Sequence, residues 1–369
     1  MGARNSDAAR FQLLTGIDAL KLVQLLARNR FRVQRAHLRS LQHIAGVSLA
    51  ASFFGVLDSL FYGSKIAVTP VSLPPVFILG HWRSGTTWLH KLFSLDPRCT
   101  CPTFFQCTFP QAFLSGERFL KPRTADDIPP HRPFDNVPLG VDEPFEEEFA
   151  LARTALISPM LGFVFPQAWR RYDSHCEPEG WRRREQRRWQ HDFLRFARKL
   201  TLVSSGRRLI FKSPAQGYRL NLLLEIFPAA KFVLVVRNPY EVFASTRRLL
   251  DSLLQHNRLH AGGPVDLDEI VFDRYLRMYI KLACDLPLVA QGNLARVRFE
   301  NLERRPLEEL KRIYRELGLG DFAPARAPLE RYLQQSAPYQ KNVYNLTPAE
   351  KERIANRWRP AFESYDYAL

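Results

Sequence analysis

Val76-Phe-Ile-Leu-Gly80-His-Trp-Arg83-Ser84-Gly85-Thr86-Thr87-Trp88-Leu-His-Lys-Leu-Phe-Ser-Leu95 is the stretch on which the reading of this 369-residue chain turns. Its first four residues are apolar without a break, as in a short strand covered on both faces. From Leu89 to Leu95 the apolar residues return at helical spacing. Between the two lies a loop holding Gly80 and Gly85 and the hydroxyls of Ser84, Thr86 and Thr87. At such a junction the first N–H groups of the helix lack partners and the helix dipole is positive. The loop is therefore a cradle for an anion.

Outward from this loop the alternation repeats. Apolar runs at Leu209–Phe211, Phe232–Val236 and Val297–Phe299 precede helical stretches at 217–227, 239–254 and 306–317, as Val76–Leu79 precedes 85–95. The pattern predicts an α/β fold, a P-loop-like parallel sheet flanked by helices, with an N-terminal helical extension. The extension is read as residues 1–74 and the main domain as 75–369, with an insertion at 97–205. Residues 8–62 give two or three helices. The segment Val47–Val68 is apolar but interrupted by Gly55, Asp58, Gly63 and Lys65, which predicts a buried or surface-lying helix and not a spanning one. This basic amphipathic region either caps the main domain or touches a membrane peripherally. The arginines at 182, 183, 184, 187 and 188 read as a solvated helix face.

With 46% apolar and 24% charged residues the chain can bury a large core, which excludes disordered and fibrous classes. The net charge of +16 favours anionic partners. Of the 53 basic residues 42 are Arg and 11 Lys, and arginine presents a planar fork to phosphate or sulfate oxygens. Five cysteines, at 99, 101, 107, 176 and 284, have no zinc-ligand spacing and read as free thiols. No signal peptide is read in the first twenty residues, and the expected location is the cytoplasm, with peripheral attachment to membrane as the variant of it.

The spacing Gly80-x4-Gly85 matches the phosphate loop of nucleotide triphosphatases, but Thr86 stands where their lysine reaches the β/γ-phosphates. A magnesium-triphosphate would be poorly neutralised here. Arg83 with the hydroxyls at 84, 86 and 87 suits a smaller 5′-linked anion.

The motif Arg83-Ser84-Gly85-Thr86-Thr87-Trp88 resembles the 5′-phosphosulfate loop of sulfotransferases that use 3′-phosphoadenosine 5′-phosphosulfate (PAPS), and the chain is similar to their bacterial, tyrosylprotein-sulfotransferase-like branch. A second block agrees: Phe232-Val-Leu-Val-Val-Arg237-Asn-Pro, followed eight positions on by Ser245. The resemblance implies that residues 83–88 bind the 5′ end of the donor and that Arg237 and Ser245 bind its 3′-phosphate. It also implies that Lys212, in Phe211-Lys212-Ser213-Pro214, lies near the transferred group, and that Lys341, in Gln340-Lys341-Asn342-Val343, approaches the donor. Arg298-Phe299-Glu300-Asn301-Leu302 is similar to the family's "YEDL" segment. PAPS is the expected co-substrate and no metal is expected.

In such a transfer the protein positions and neutralises, so Arg83 and Lys212 are the catalytic cations expected. The general base is less plain. Where cytosolic members have a histidine stands Pro214, and Cys101–Phe109, where the tyrosylprotein branch has a glutamate, contains no acid. Glu148, in Asp142-Glu-Pro144-Phe145-Glu146-Glu147-Glu148-Phe149, is the candidate. Pro144 is taken as the first helical residue, with Phe145, Phe149 and Ala152 as the inward stripe. The other account is that these acids complement the helix dipole. His81 and His131 are further candidates. Trp82, Trp88, Phe104, Phe105, Phe109 and Phe113 either line an apolar acceptor cleft or form plain core. The expected function is sulfuryl transfer to a hydroxyl of a small or lipid-like acceptor. A carbohydrate acceptor, and more remotely a nucleotide kinase, are the alternatives; no nucleic-acid partner is expected, and the oligomeric state stays open.

Overall fold

The computed structural model describes residues 12–132, 137–260, 262, 266–335 and 345–369. Along the chain come α1 (Ala19–Arg28), α2 (Leu38–Val68), β1 (Val76–Leu79), α3 (Thr86–Ser94), β2 (Cys99–Thr100), α4 (Phe104–Thr108) and α5 (Phe113–Asp127). There follow α6 (Glu147–Thr154), α7 (Leu161–Val164), α8 (Trp169–Asp173), α9 (Arg183–Val203), β3 (Arg208–Lys212), α10 (Leu220–Ile226), β4 (Lys231–Val236) and α11 (Pro239–Asn257). The last are α12 (Leu267–Asp285), β5 (Leu294–Arg298), α13 (Phe299–Arg304), α14 (Pro306–Glu316), α15 (Ala323–Gln335) and α16 (Pro348–Ser364). The chain forms two compact units, one of residues 1–72, 102–206 and 251–265, the other of 73–101, 207–250 and 266–369.

The second unit holds the whole sheet, in the order β2-β3-β1-β4-β5 with every pair parallel. Phe77 on the central strand stands opposite Phe211 and Phe232, with ring centroids 5.3 and 5.7 Å away, so one row of stacked rings crosses three strands. All four residues of β1 are buried, as an unbroken apolar strand requires. After β1 the chain moves to one edge of the sheet; after β4 it moves to the other. The strand order thus reverses between β1 and β4, and open α/β sheets bind ligands at the carboxyl ends of such strands.

In the first unit α2 runs for 31 residues and packs on α1, α5 and α9. It is longer and more continuous than the sequence reading had it, and Arg35–Val68 is long and apolar enough by composition to cross a membrane. Its inward face is pinned by Asp58. The carboxylate accepts the Leu114 and Ser115 N–H groups at 3.2 and 2.6 Å, where α5 begins, and pairs with Lys199 Nζ of α9 at 2.8 Å. Both partners are buried, and removing one member of such a pair strands the other's charge. Burial pushes the Lys199 ammonium down to about 8.

The helix read from Pro144 begins instead at Glu147, because Glu146 is extended (φ −79°, ψ 124°); Pro144 makes an isolated bridge with Thr103. The inward stripe was also misplaced. Phe145 and Phe149 are half-buried, whereas Glu147, Glu148, Ala150, Leu151, Ala152 and Arg153 are buried. The helix packs against both α4 and α9, so no single stripe describes it. The arginines at 182, 183, 184 and 187 are exposed, as a solvated face requires.

Candidate active site

The loop between β1 and α3 folds as it does because two of its positions tolerate no side chain. A Cβ on Gly80 (φ +150°) would stand 2.7 Å from the Val235 carbonyl oxygen of β4. One on Gly85 (φ +94°) would stand 2.0 Å from the Phe299 ring. Arg83 takes the left-handed region at φ +72° without being glycine, which costs about 1–2 kcal/mol and marks a position fixed by its surroundings. Ser84 closes the turn, its N–H donating to the His81 carbonyl at 3.1 Å and its hydroxyl donating to the same oxygen.

Helix α3 starts beyond Gly85, whose carbonyl already accepts the N–H groups of Trp88 and Leu89. The N–H groups of Gly85, Thr86 and Thr87 have no acceptor among the described residues. They face the positive end of the helix dipole, an arrangement that receives phosphate or sulfate oxygens.

Two further elements of the second unit close on this loop. Ser245, about two turns into α11, accepts a hydrogen bond from Arg83 Nε at 2.8 Å, and the neighbouring Thr246 hydroxyl donates to the Trp82 carbonyl at 3.2 Å. Arg237, leaving β4, donates from Nη1 to the Arg83 carbonyl at 3.0 Å. Its other arm meets the Glu241 carboxylate, and its plane lies 4.5 Å from the Phe299 ring centroid. Arg237 Nε is buried without a partner. Lys212 at the end of β3 is buried and donates from Nζ to the Thr87 hydroxyl at 3.2 Å. Arg83, residues 84–88, Lys212, Arg237 and Ser245 are thus brought together at the β1/β4 reversal. Three cations, spare backbone donors and an orphaned guanidinium N–H in glycine-lined backbone suit a multiply anionic ligand. Lys341 lies outside the described residues.

Of the histidines read as candidates, His81 is buried and His131 is exposed. His81 donates from Nδ1 to the Trp82 carbonyl at 3.0 Å and is buried against Tyr275; burial pushes its imidazole down to about 3. His90 on α3 lies behind the site, bonded to the Ile210 carbonyl, and burial, aided by the charge of Lys212, pushes it to about 3 as well. His131 is exposed, in the first unit. Glu148 is buried beside Glu147 in the first turn of α6, also in the first unit. Among the described residues no group of three His, Cys, Asp or Glu side chains could hold a metal ion.

Two participants escaped the sequence reading. Phe299 fills the space under Gly85, stands 6.3 Å from the Trp88 ring and carries Arg237 on its face. Glu241 sets the second arm of Arg237. A hint of Phe299 lay in the 298–302 segment; Glu241, four residues after an arginine across a strand–helix junction, gave no signal of its own. Of the aromatics, Trp82, Phe104, Phe105, Phe109 and Phe113 are buried, and Trp88 is half-buried.

The first unit contains a cavity of about 420 Å³ between α2 and α5. Its walls include Val47, Phe54, Phe104, Phe109, Phe119 and Leu120. One polar group there is unusual. Arg153 is buried, donates only to the carbonyls of Thr15, Cys107 and Phe149, and pairs with no carboxylate among the described residues.

Residues 74–324 match the sulfotransferase family. The chain belongs to it. It is 34% identical over 355 residues to the omega-hydroxy-beta-dihydromenaquinone-9 sulfotransferase Stf3 of Mycobacterium bovis and to that of Mycobacterium tuberculosis, covering 96% of this chain and 91% of each relative. Among solved structures, sulfotransferase STF9 from Mycobacterium avium superimposes with a TM-score of 0.67 at 15% identity, covering 88% of this chain and 85% of that one. STF1 from Mycobacterium tuberculosis gives 0.60 at 19% identity, covering 88% and 86%. The two structures show a shared fold; the family match and the curated relatives make this sulfotransferase an enzyme.

Proposed function

We propose that this sulfotransferase moves the sulfuryl group of PAPS to a hydroxyl of a lipid-like acceptor. The observation that carries the donor assignment is the Arg237–Arg83–Ser245 chain of hydrogen bonds beside the spare N–H groups of residues 85–87. One end of that cluster suits a 5′-phosphosulfate and the other a 3′-phosphate. A lipid-like acceptor is supported by the name of the curated relatives, whose resemblance runs through the first unit as well as the second. The apolar cavity of the first unit, with Arg153 in its wall, has the chemistry of a site for an apolar body bearing a polar group.

The donor's S–O bond to phosphate breaks as the acceptor oxygen bonds to sulfur. The acceptor hydroxyl loses its proton, and adenosine 3′,5′-bisphosphate leaves. Arg83, Lys212 and the loop N–H groups hold the charge that collects on the sulfuryl oxygens and the leaving phosphate. Glu148 is the proposed proton acceptor.

Incubating the protein with labelled PAPS and a lipid extract should yield one sulfated lipid; product found only among soluble sugars would overturn the acceptor class. Arg237→Ala should abolish calorimetrically detectable binding of adenosine 3′,5′-bisphosphate, because the 3′-phosphate loses its charged partner. Glu148→Gln should lower turnover about 100-fold or more while leaving that affinity unchanged; full turnover would remove Glu148 as the base.

A further inference from the structure

Residues 19–57 contain no acidic side chain, yet include Lys21, Arg28, Arg30, Arg32, Arg35 and Arg39. All five arginines are exposed, and none is in an ion pair among the described residues. They cluster from the end of α1 to the start of α2, interleaved with exposed Phe31 and Leu38. Beyond them α2 turns Leu49, Phe53, Val56 and Leu60 outward at 66%, 60%, 58% and 72% exposure. The spacings of four, three and four residues place them on one face of the helix. Exposed Lys65 follows on the last turns. A continuous apolar stripe is thus bracketed by cations.

We propose that α2 lies flat on an anionic lipid bilayer, with this stripe among the upper acyl chains and the arginines among the headgroups. The opposite face of the same helix fixes the geometry. Ile44, Ser48, Ala51, Asp58 and Ile66 are buried in the first unit, and Asp58 holds Lys199 and the start of α5. A helix so anchored cannot leave the fold to span. A helix of 31 residues is also about 46 Å long, against about 30 Å of hydrocarbon. Lying in the interface, it meets apolar chains with one face and leaves the other in the protein.

Charge selects the occupant. A second copy seated symmetrically on the same face would bring positive charge to positive charge, since the stripe and its flanks carry no exposed acid between Asp18 and Asp58, and Asp58 is buried. A nucleic acid would answer the arginines but not four outward aliphatic and aromatic side chains. A bilayer rich in acidic headgroups answers both. This inference stands apart from the acceptor assignment, since it concerns where the enzyme sits and not what it sulfates.

The test uses the full chain and sedimentation with vesicles of phosphatidylglycerol and phosphatidylcholine in equal parts, or of phosphatidylcholine alone. The protein should pellet with the first and stay largely in solution with the second. Changing Leu49, Phe53 and Leu60 together to Ser should weaken partitioning at least about tenfold. Changing Arg28, Arg30 and Arg35 to Gln should weaken it about 100-fold. Both variants act on exposed residues, so the thermal midpoint and the affinity for adenosine 3′,5′-bisphosphate should match the parent's. As a second measurement, tryptophan at Phe53→Trp should be quenched by lipids brominated high on the acyl chain. Failure of the parent to pellet with the acidic vesicles, or pelleting of the Ser variant as strongly as the parent, would overturn the proposal. So would a dimer that the Ser variant dissociates in the absence of any vesicle binding. None of these readouts depends on sulfuryl transfer, so the reading of the acceptor can fail while this one holds.

Discussion

Glu241 occupies one arm of Arg237, the other arm holding the backbone of the loop. The carboxylate keeps the guanidinium in place across the face of Phe299, yet it also sets a negative charge where a 3′-phosphate is expected to arrive. Two like charges about 5 Å apart near a protein surface repel by about 1–3 kcal/mol. Glu241→Gln should therefore tighten binding of adenosine 3′,5′-bisphosphate about three- to tenfold at low salt, with the gain shrinking as ionic strength rises. Titration calorimetry at two salt concentrations checks it. Weaker binding in the variant would mean that Glu241 serves mainly to orient Arg237.

At the scale of elements, the β1–α3 junction is held by what lies across the sheet end. Gly85→Ala should lower stability by about 2 kcal/mol or more, since the new methyl meets the Phe299 ring and the residue must stay at φ +94°. Phe299→Ala removes the clash but also leaves a cavity of its own, so urea unfolding of both single variants and the double variant closes a cycle. Gly85→Ala should cost less in the Phe299→Ala background, and an equal cost in both backgrounds would leave strain as the whole effect. The same junction shows what sequence can and cannot carry. Val76–Leu79, Leu209–Phe211 and Phe232–Val236 were legible because strands buried on both faces are apolar throughout. β5 was read three residues late, because as an edge strand it alternates: Ala295 and Val297 are buried while Arg296 is exposed. β2, at two residues, has no period to read. Arg83, Arg237 and Ser245, which hydrogen bonds bring together, were singled out because they stand in blocks that resemble the family's motifs. Phe299 was not, because its part depends on the neighbour above it in space, which no local pattern encodes.

For the molecule as a whole, acid is the condition that should expose how the second unit is built. His81 and His90 are fully buried and held near 3, against 6.5 in the unfolded chain. The unfolded state therefore takes up their protons first. Stability is fully present above pH 6.5 and is lost as pH falls from 6.5 toward 3. At 1.36 kcal/mol per unit, each histidine costs about 2 kcal/mol by about pH 5. The net charge of +16 complicates the reading, because added protons also raise self-repulsion in the compact state. Salt separates the two effects: repulsion between exposed charges is screened within about 10 Å at 0.1 M, whereas a buried imidazole is not reached. Urea unfolding measured across this pH range at high salt should keep a slope that His81→Gln and His90→Gln each reduce. If the slope vanishes in salt, or survives both substitutions unchanged, acid lability comes from surface charge and not from these two buried rings.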